Sequence, residues 1–161
     1  MKGLTLIEII ISIVVFVLIA IPLMNIFATV SRDTDVGIYI NRASSMAASC
    51  MELILSRSFD EESSSPFTNP VDLGPDSGEI TLTDYDDVDD FDDYSFTDSD
   101  YPGITTTVSV YYVDNPDSSA DWDNTAAAAT DYKRIDISAA HAQLGTVTLS
   151  NGVSYAGHNT K

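Results

Sequence analysis

The sequence predicts an α+β fold in which one long N-terminal helix packs on a small antiparallel β-sheet. Three observations predict it: an apolar run from Ile9 to Val30, an apolar stripe at helical spacing over residues 36–54, and alternating apolar and polar residues in the last third of the chain. The first half of the helix is predicted to be transmembrane and the second half amphipathic. With 161 residues, the chain has room for this helix and one globular domain of roughly 100 residues.

Residues 4–30 are predicted to form the membrane-spanning part of the helix. At about 1.5 Å of rise per residue, roughly twenty apolar residues cross the hydrocarbon core of a bilayer. Pro22 has no N–H for the Leu18 carbonyl, so we expect the helix to bend or open locally there. In lipid, such an opening requires neighbouring helices to cover it. The apolar run is interrupted only by Ser12, Pro22, Asn25 and Thr29.

Glu8 is the one acidic residue at the start of this apolar segment. A charged side chain inside a membrane span is costly, and it needs a partner of opposite charge. The apolar helix contains no Lys, Arg or His. The nearest cation would be a new amino group, created by cleavage between Gly3 and Leu4.

The segment Gly3-Leu4-Thr5-Leu6-Ile7-Glu8 resembles the type IV prepilin motif, also called the class III signal peptide. The resemblance implies that residues 1–3 are a leader, which prepilin peptidase removes before N-methylating Leu4. It also implies that Glu8 pairs with the amino terminus of a neighbouring subunit. The family usually has Phe where this chain has Leu4. The positions implied in assembly are Leu4, Thr5, Glu8 and Pro22.

Two other interpretations of the N-terminus explain less of it. A secretory signal has an apolar centre of about 7–15 residues and a small-x-small cleavage site, whereas this apolar run is longer and contains Glu8. A plain signal anchor fits the length but leaves Glu8 unexplained. The positive-inside signal is weak, with Lys2 before the span and Arg32 after it.

Residues 31–58 are predicted to continue the helix as an amphipathic segment that ends near Ser56. One face is apolar at steps of three and four, and Cys50 on that face is expected to be a small buried apolar residue. The predicted stripe consists of Val36, Ile40, Ala43, Ala47, Cys50 or Met51, and Ile54.

Residues 59–102 are predicted to form an acidic loop region, in which Ile80 and Leu82 form a short strand. Nine aspartates lie between Asp84 and Asp100, with no Lys or Arg among them. One hypothesis is a Ca²⁺ site, because carboxylates suit this cation; the other is a solvated acidic loop. The spacing does not match an EF-hand. The hypothetical ligands are Asp84, Asp86, Asp87, Asp89 and Asp90. The expected apolar anchors of the loop are Tyr85, Val88, Phe91, Tyr94 and Phe96.

Residues 103–161 are predicted to form the antiparallel sheet, with strands at Ile104–Tyr112, around Ile135–Ala139 and around Val147–Leu149. Asn151-Gly152 has the composition of a two-residue hairpin turn. Such a turn would place Val147 and Val153 on opposite faces of the sheet, so we expect either a longer turn or a loose C-terminal tail. Trp122 is expected to anchor its loop on the sheet or to contact a sugar or protein.

Several later segments resemble minor pilins of the mannose-sensitive haemagglutinin (MSHA) system. Many major pilins carry a C-terminal disulfide, whereas Cys50 is the single cysteine here. The segments are residues 54–61, 73–79, 86–91, 133–137 and 144–150. The resemblance implies a pilin-like fold and a minor subunit of a type IV pilus-type filament. Its expected partners are other pilin subunits, prepilin peptidase and the inner-membrane assembly machinery.

The net charge of −18 excludes a nucleic-acid-binding surface and suits cations as partners. His141 and His158 have no partner pattern typical of catalysis or zinc binding, so we expect no enzyme. We expect an inner-membrane precursor with its C-terminal domain outside the cytoplasm, and later an extracellular or periplasmic filament. Two alternatives stay open: a type II secretion pseudopilin, and a membrane-anchored Ca²⁺-dependent binding protein that never polymerises.

Overall fold

The computed structural model describes residues 5–61, 65, 67–114, 122 and 124–158. It divides into two compact units, Met1–Tyr39 and Ile40–Lys161. The strands form one antiparallel sheet in the order β1-β2-β3-β4, and the C-terminal part of helix α1 packs on it. The elements are α1 (Leu6–Leu55), a 3₁₀ turn (Asp89–Phe91), β1 (Ser95–Thr97), β2 (Ile104–Tyr112), β3 (Tyr132–His141), β4 (Gly145–Ser154) and α2 (Tyr155–His158).

Helix α1 confirms the prediction of one long helix through both the apolar and the amphipathic segments. Its predicted start at Leu4 lies outside the described residues. The helix continues unbroken through Pro22, so the single chain has no unwound segment there.

The amphipathic stripe of α1 is confirmed in its C-terminal part, where Ala43, Ala47 and Ile54 are fully buried. Ile40 was predicted to be on the buried face, and this is wrong, because its side chain is 47% exposed. Helical periodicity predicts which residues share a face, but it does not predict where the sheet that covers that face ends.

Cys50 is buried in the core, as predicted, and it is a free thiol. Burial raises the pKa of this thiol to about 11, and the thiolate is the reactive form. At pH 8 we expect iodoacetamide to alkylate Cys50 about 100-fold more slowly in the folded protein than in urea, since two pKa units change the thiolate fraction about 100-fold. Mass spectrometry of timed samples measures both rates. Equal rates would contradict the burial of this thiol.

The two central strands confirm the alternation that predicted them. Alternate residues of β2, from Ile104 to Tyr112, face the core and are buried. In β3, Ile135, Ile137 and Ala139 are fully buried, and Lys133 is buried in the same alternation. The inward face of the sheet is therefore apolar except at Thr106 and near the end where Lys133 and Tyr112 pair in register.

Strand β4 corrects the predictions for the C-terminus. The alternation of side chains correctly argued against a two-residue turn at Asn151-Gly152. The two alternatives expected in its place, a longer turn and a loose C-terminal tail, are both wrong. β4 runs straight through these residues, and Val153 pairs with Lys133. The Trp122 ring lies over Gly152, where a Cβ atom would overlap the ring. Trp122 therefore lies against the sheet, which agrees with the prediction that it is an anchor.

The acidic region 59–102 contains more structure than predicted. β1 lies inside it and pairs with β2, so one strand of the sheet precedes residue 103. The predicted strand at Ile80 and Leu82 is wrong: this segment is a turn, in which the backbone N–H of Asp84 bonds to the Thr81 carbonyl at 2.8 Å. The predicted apolar anchors are confirmed, since all five pack in or against the core.

Candidate functional site

The apolar half of α1 exposes its large side chains all around the helix. Leu6, Phe16 and Phe27 are each more than two-thirds exposed. An exposed apolar surface of this extent marks contact with lipid or with other protein. Within the part of the chain that the structure describes, α1 is the one helix long and apolar enough to cross a membrane, with a mean hydropathy of 3.0 over its most apolar window.

Polar side chains within this segment bond to the helix itself. The Ser12 hydroxyl donates to the Glu8 carbonyl at 2.7 Å, and the Thr29 hydroxyl donates to the Asn25 carbonyl at 3.0 Å. These bonds satisfy the hydroxyl groups without water, as a lipid environment requires. Serine and threonine in the apolar run are therefore compatible with a membrane span.

Glu8 is different, because its carboxylate is exposed and has no hydrogen bond or ion pair with any described residue. Its own N–H bonds to the Thr5 carbonyl at 3.1 Å, which begins the helix. Pro22 lies within the same helix and Thr5 lies directly before its first residue, whereas the predicted processing residues Gly3 and Leu4 lie outside the described residues. Within the described chain, nothing supplies the cation that Glu8 needs.

A second polar site lies in the globular unit, around the fully buried Lys133. Its ammonium group donates to the Phe59 carbonyl at 2.7 Å and to Asp60 Oδ2 at 3.0 Å, and it forms a very short contact with Asp89 Oδ1. It also lies 4.6 Å from the centre of the Phe59 ring and 5.1 Å from that of Tyr112. This ammonium group therefore joins the segment after α1 to the 3₁₀ turn.

Asp60 accepts further hydrogen bonds at the same place. The Tyr112 hydroxyl donates to Asp60 Oδ2 at 3.0 Å, and the Thr68 N–H donates to the same oxygen at 3.2 Å. Glu61, the next residue, is exposed and accepts a bond from the Thr68 hydroxyl at 3.1 Å. Oxygens of Asp60, Glu61 and Asp89 lie within 4.8 Å of one another.

Asp87 completes what we call the acidic cluster, formed by Asp60, Glu61, Asp87 and Asp89. Asp87 is fully buried, and its Oδ1 accepts the N–H groups of Asp89 at 2.9 Å and Asp90 at 3.2 Å. Its Oδ2 is buried without a hydrogen-bond partner. Electrostatic contacts link its carboxyl group to those of Asp89 and Glu61.

Burial and mutual repulsion change the protonation of these groups. Burial, and then the charge of Asp89, raises the pKa of Asp87 to about 10. Burial also raises the pKa of Asp89, although the Lys133 ammonium opposes this change. A hydrogen bond with Glu61 raises the pKa of Asp76 to about 6. In the absence of a bound cation, Asp87 therefore keeps a proton at neutral pH.

The five hypothetical calcium ligands do not form one site. Asp84 bonds to the Thr81 N–H at 2.9 Å and belongs to neither group of neighbouring carboxylates. Asp86 and Asp90 lie in a group with Glu79, whereas Asp87 and Asp89 lie in the acidic cluster. The expectation of a uniformly solvated loop is also wrong, because Asp87, Asp89 and Asp90 are buried.

Sequence reasoning missed Lys133, Asp60 and Glu61 as site residues. Lys133 had a usable signal, because it occupies the position before Ile135 in the inward alternation of β3. A lysine at an inward position needs a buried anion, and the aspartate-rich segment is the obvious source. Asp60 and Glu61 were interpreted as a helix stop, and no local pattern distinguishes them from solvated acidic residues.

No family model, curated protein sequence or solved structure matches this chain.

Proposed function

We propose that this protein is a minor, pilin-like structural subunit of a type IV pilus-type filament. Prepilin peptidase would remove residues 1–3 at the inner membrane, and the subunit would then assemble through packing of its N-terminal helices. Before assembly, the single span would anchor the protein with its C-terminal domain outside the cytoplasm. Other pilin subunits and the inner-membrane assembly machinery would be its partners.

The observation that carries this proposal is the Glu8 carboxylate, which lies on an apolar helix without a cation among the described residues. Cleavage after Gly3 would create an α-amino group on Leu4. Within one chain, that amino group lies near Glu8 in sequence. Between subunits, the Glu8 carboxylate of one can pair with the Leu4 amino group of the next when one helix is shifted along the other. In a low-dielectric environment such a pairing fixes the axial register of the subunits.

The exposed apolar side chains of α1 support the same proposal. The apolar part of α1, residues 6–30, would be covered by lipid before assembly and by the same part of neighbouring subunits in the filament. The same apolar surface would therefore be buried in the membrane and in the filament. The globular unit has a well-packed core of its own. A strongly acidic chain, with a net charge of −18, keeps such a unit soluble outside the membrane.

The N-terminus of the protein isolated from cells tests this proposal. We expect the native protein to begin at Leu4 and to carry one N-methyl group, because prepilin peptidase performs both reactions. Intact-mass measurement and N-terminal peptide sequencing measure both. A matched sample from cells that lack prepilin peptidase should retain Met1. A native protein that keeps residues 1–3 would contradict the filament proposal and favour a membrane-anchored protein that never polymerises.

A further inference from the structure

We propose that the acidic cluster of Asp60, Glu61, Asp87 and Asp89 binds one calcium ion. This site differs from the ligand set suggested by the aspartate-rich sequence, since it includes the residues that follow α1 and excludes Asp84. It is also independent of filament assembly, because every ligand belongs to the globular unit.

The first support is geometric. One oxygen each from Asp60, Glu61 and Asp89 lies within 4.8 Å of the others. Calcium binds oxygen at about 2.4 Å, so two ligands on opposite sides of one ion are separated by up to about 4.8 Å. These three carboxylates can therefore reach a common ion without a large change in the backbone, and Asp87, which lies outside this group of three, contacts two of its members.

The second support is independent of that grouping, and it comes from Asp87. This side chain is fully buried, and its Oδ1 is held by two backbone N–H groups. Its Oδ2 is buried with no donor, although buried carboxylate oxygens in folded proteins are almost always paired. The carboxyl group lies against those of Asp89 and Glu61, where a cation would supply the missing partner.

Charge balance points in the same direction. Lys133 contacts Asp60 Oδ2 and Asp89 Oδ1, so the single ammonium group neutralises only part of the cluster. When all four carboxylates are ionised, three negative charges remain uncompensated. A divalent ion removes two of them, which a second hydrogen bond or a bound water does not.

Calcium suits this cluster better than other divalent cations. The four side chains offer oxygen atoms alone, which disfavours zinc and copper. They come from two separate segments in an irregular arrangement, and calcium accepts six to eight oxygens in flexible geometry. Magnesium requires a near-ideal octahedron with shorter bonds. Water molecules would complete the calcium coordination on the exposed side, next to Glu61.

The ion would connect two segments of the globular unit. Asp60 and Glu61 follow the end of α1, while Asp87 and Asp89 precede β1; the backbone already joins these segments where the Ser58 N–H bonds to the Asp86 carbonyl at 3.1 Å. A calcium ion would add a second connection. It would therefore stabilise the folded unit, since the unfolded chain does not hold the four carboxylates together.

Calcium titration of the full-length protein in detergent micelles tests this inference. We expect isothermal titration calorimetry to detect one site with a Kd on the order of 10⁻⁴–10⁻³ M, the range of extracellular calcium modules. At ten times the Kd, the Tm of the globular unit should rise by roughly 5 °C. Magnesium at the same concentration should produce a smaller rise, and EGTA should reverse the calcium effect. Absence of both calcium binding and a Tm shift would overturn the proposal.

Two Asp-to-Asn variants locate the site. Asp87→Asn keeps an oxygen for the N–H groups of Asp89 and Asp90, so it should fold, yet it should lose the calcium-dependent Tm shift. Asp84→Asn removes one charge from the same acidic region but should keep the full shift. A shift that survives Asp87→Asn would place the ion elsewhere, for example at Glu79, Asp86 and Asp90, and would overturn the assignment.

Discussion

Replacing Lys133 with methionine should lower the free energy of unfolding of the globular unit by about 3–5 kcal/mol. Methionine fills a similar volume, but it leaves Asp60 and Asp89 buried together without a cation and removes the donor to the Phe59 carbonyl. An uncompensated buried charge is among the few causes of so large an effect. Thermal unfolding followed by near-UV circular dichroism in EGTA should show a fall in Tm of roughly 10–25 °C.

Arg134→Met is the matched control, because Arg134 is the next residue on β3 and its side chain lies on the opposite face. Its ion pair with Asp136, at 2.8 Å, is partly exposed, and such pairs contribute about 0–1 kcal/mol. The control should therefore lose much less stability than Lys133→Met. Equal losses would contradict a special role for the buried ammonium group.

A double variant separates charge from packing at this site. If the loss in Lys133→Met comes from unpaired carboxylates, then adding Asp89→Asn should restore part of the stability, since it removes one of the two stranded charges. If the loss came from packing, the second substitution would add to it. The comparison is made in EGTA, so that calcium does not influence the result.

The strands could be predicted because one physical rule governs them. Residues such as Ile104, Val108 and Ile137 alternate with polar neighbours, and a sheet with one buried face requires this period of two. The same rule excluded a turn at Asn151-Gly152. It did not predict that β4 continues, because Asn and Gly disfavour strands, and it is the Trp122 ring over Gly152 that explains the glycine.

The structure of the acidic region could not be predicted in the same way. Local sequence favours solvation of aspartates, whereas Asp89 and Asp60 are buried because Lys133 lies beside them, 44 and 73 residues away along the chain. A contact over that separation leaves no periodic signal. Composition alone therefore suggested calcium ligands, but it did not distinguish Asp84, which closes a turn, from Asp87, which lies in the acidic cluster.

The N-terminal helix, in contrast to the acidic region, could be predicted almost entirely from its local sequence. Length, apolarity and the position of Glu8 predict a membrane helix with one unpaired carboxylate, and the structure shows a continuous helix over residues 6–30 that is long and apolar enough to cross a membrane. Under the proposed function, the counter-ion of Glu8 belongs to a neighbouring subunit, which the sequence and structure of one chain do not contain.

Substitution of Glu8 by glutamine should leave the protein processed and inserted in the membrane, yet nearly abolish its incorporation into filaments. Glutamine keeps the size of the side chain but removes the charge that would neutralise the Leu4 amino group of a neighbouring subunit. Removing one partner of a buried ion pair costs about 3 kcal/mol or more, and that reduces an association constant by at least roughly 100-fold. The ratio of the protein in sheared filaments to that in membranes measures the effect.

Glu52→Gln provides the matched control, because Glu52 is an exposed residue of the same helix beyond the apolar segment. It removes the same charge, but it should leave incorporation at the wild-type level. Both variants should begin at N-methylated Leu4, which shows that processing is intact and that the defect lies in assembly. Glu8→Gln subunits found in filaments at the wild-type ratio would contradict the pairing, since register would then be fixed by apolar helix packing alone.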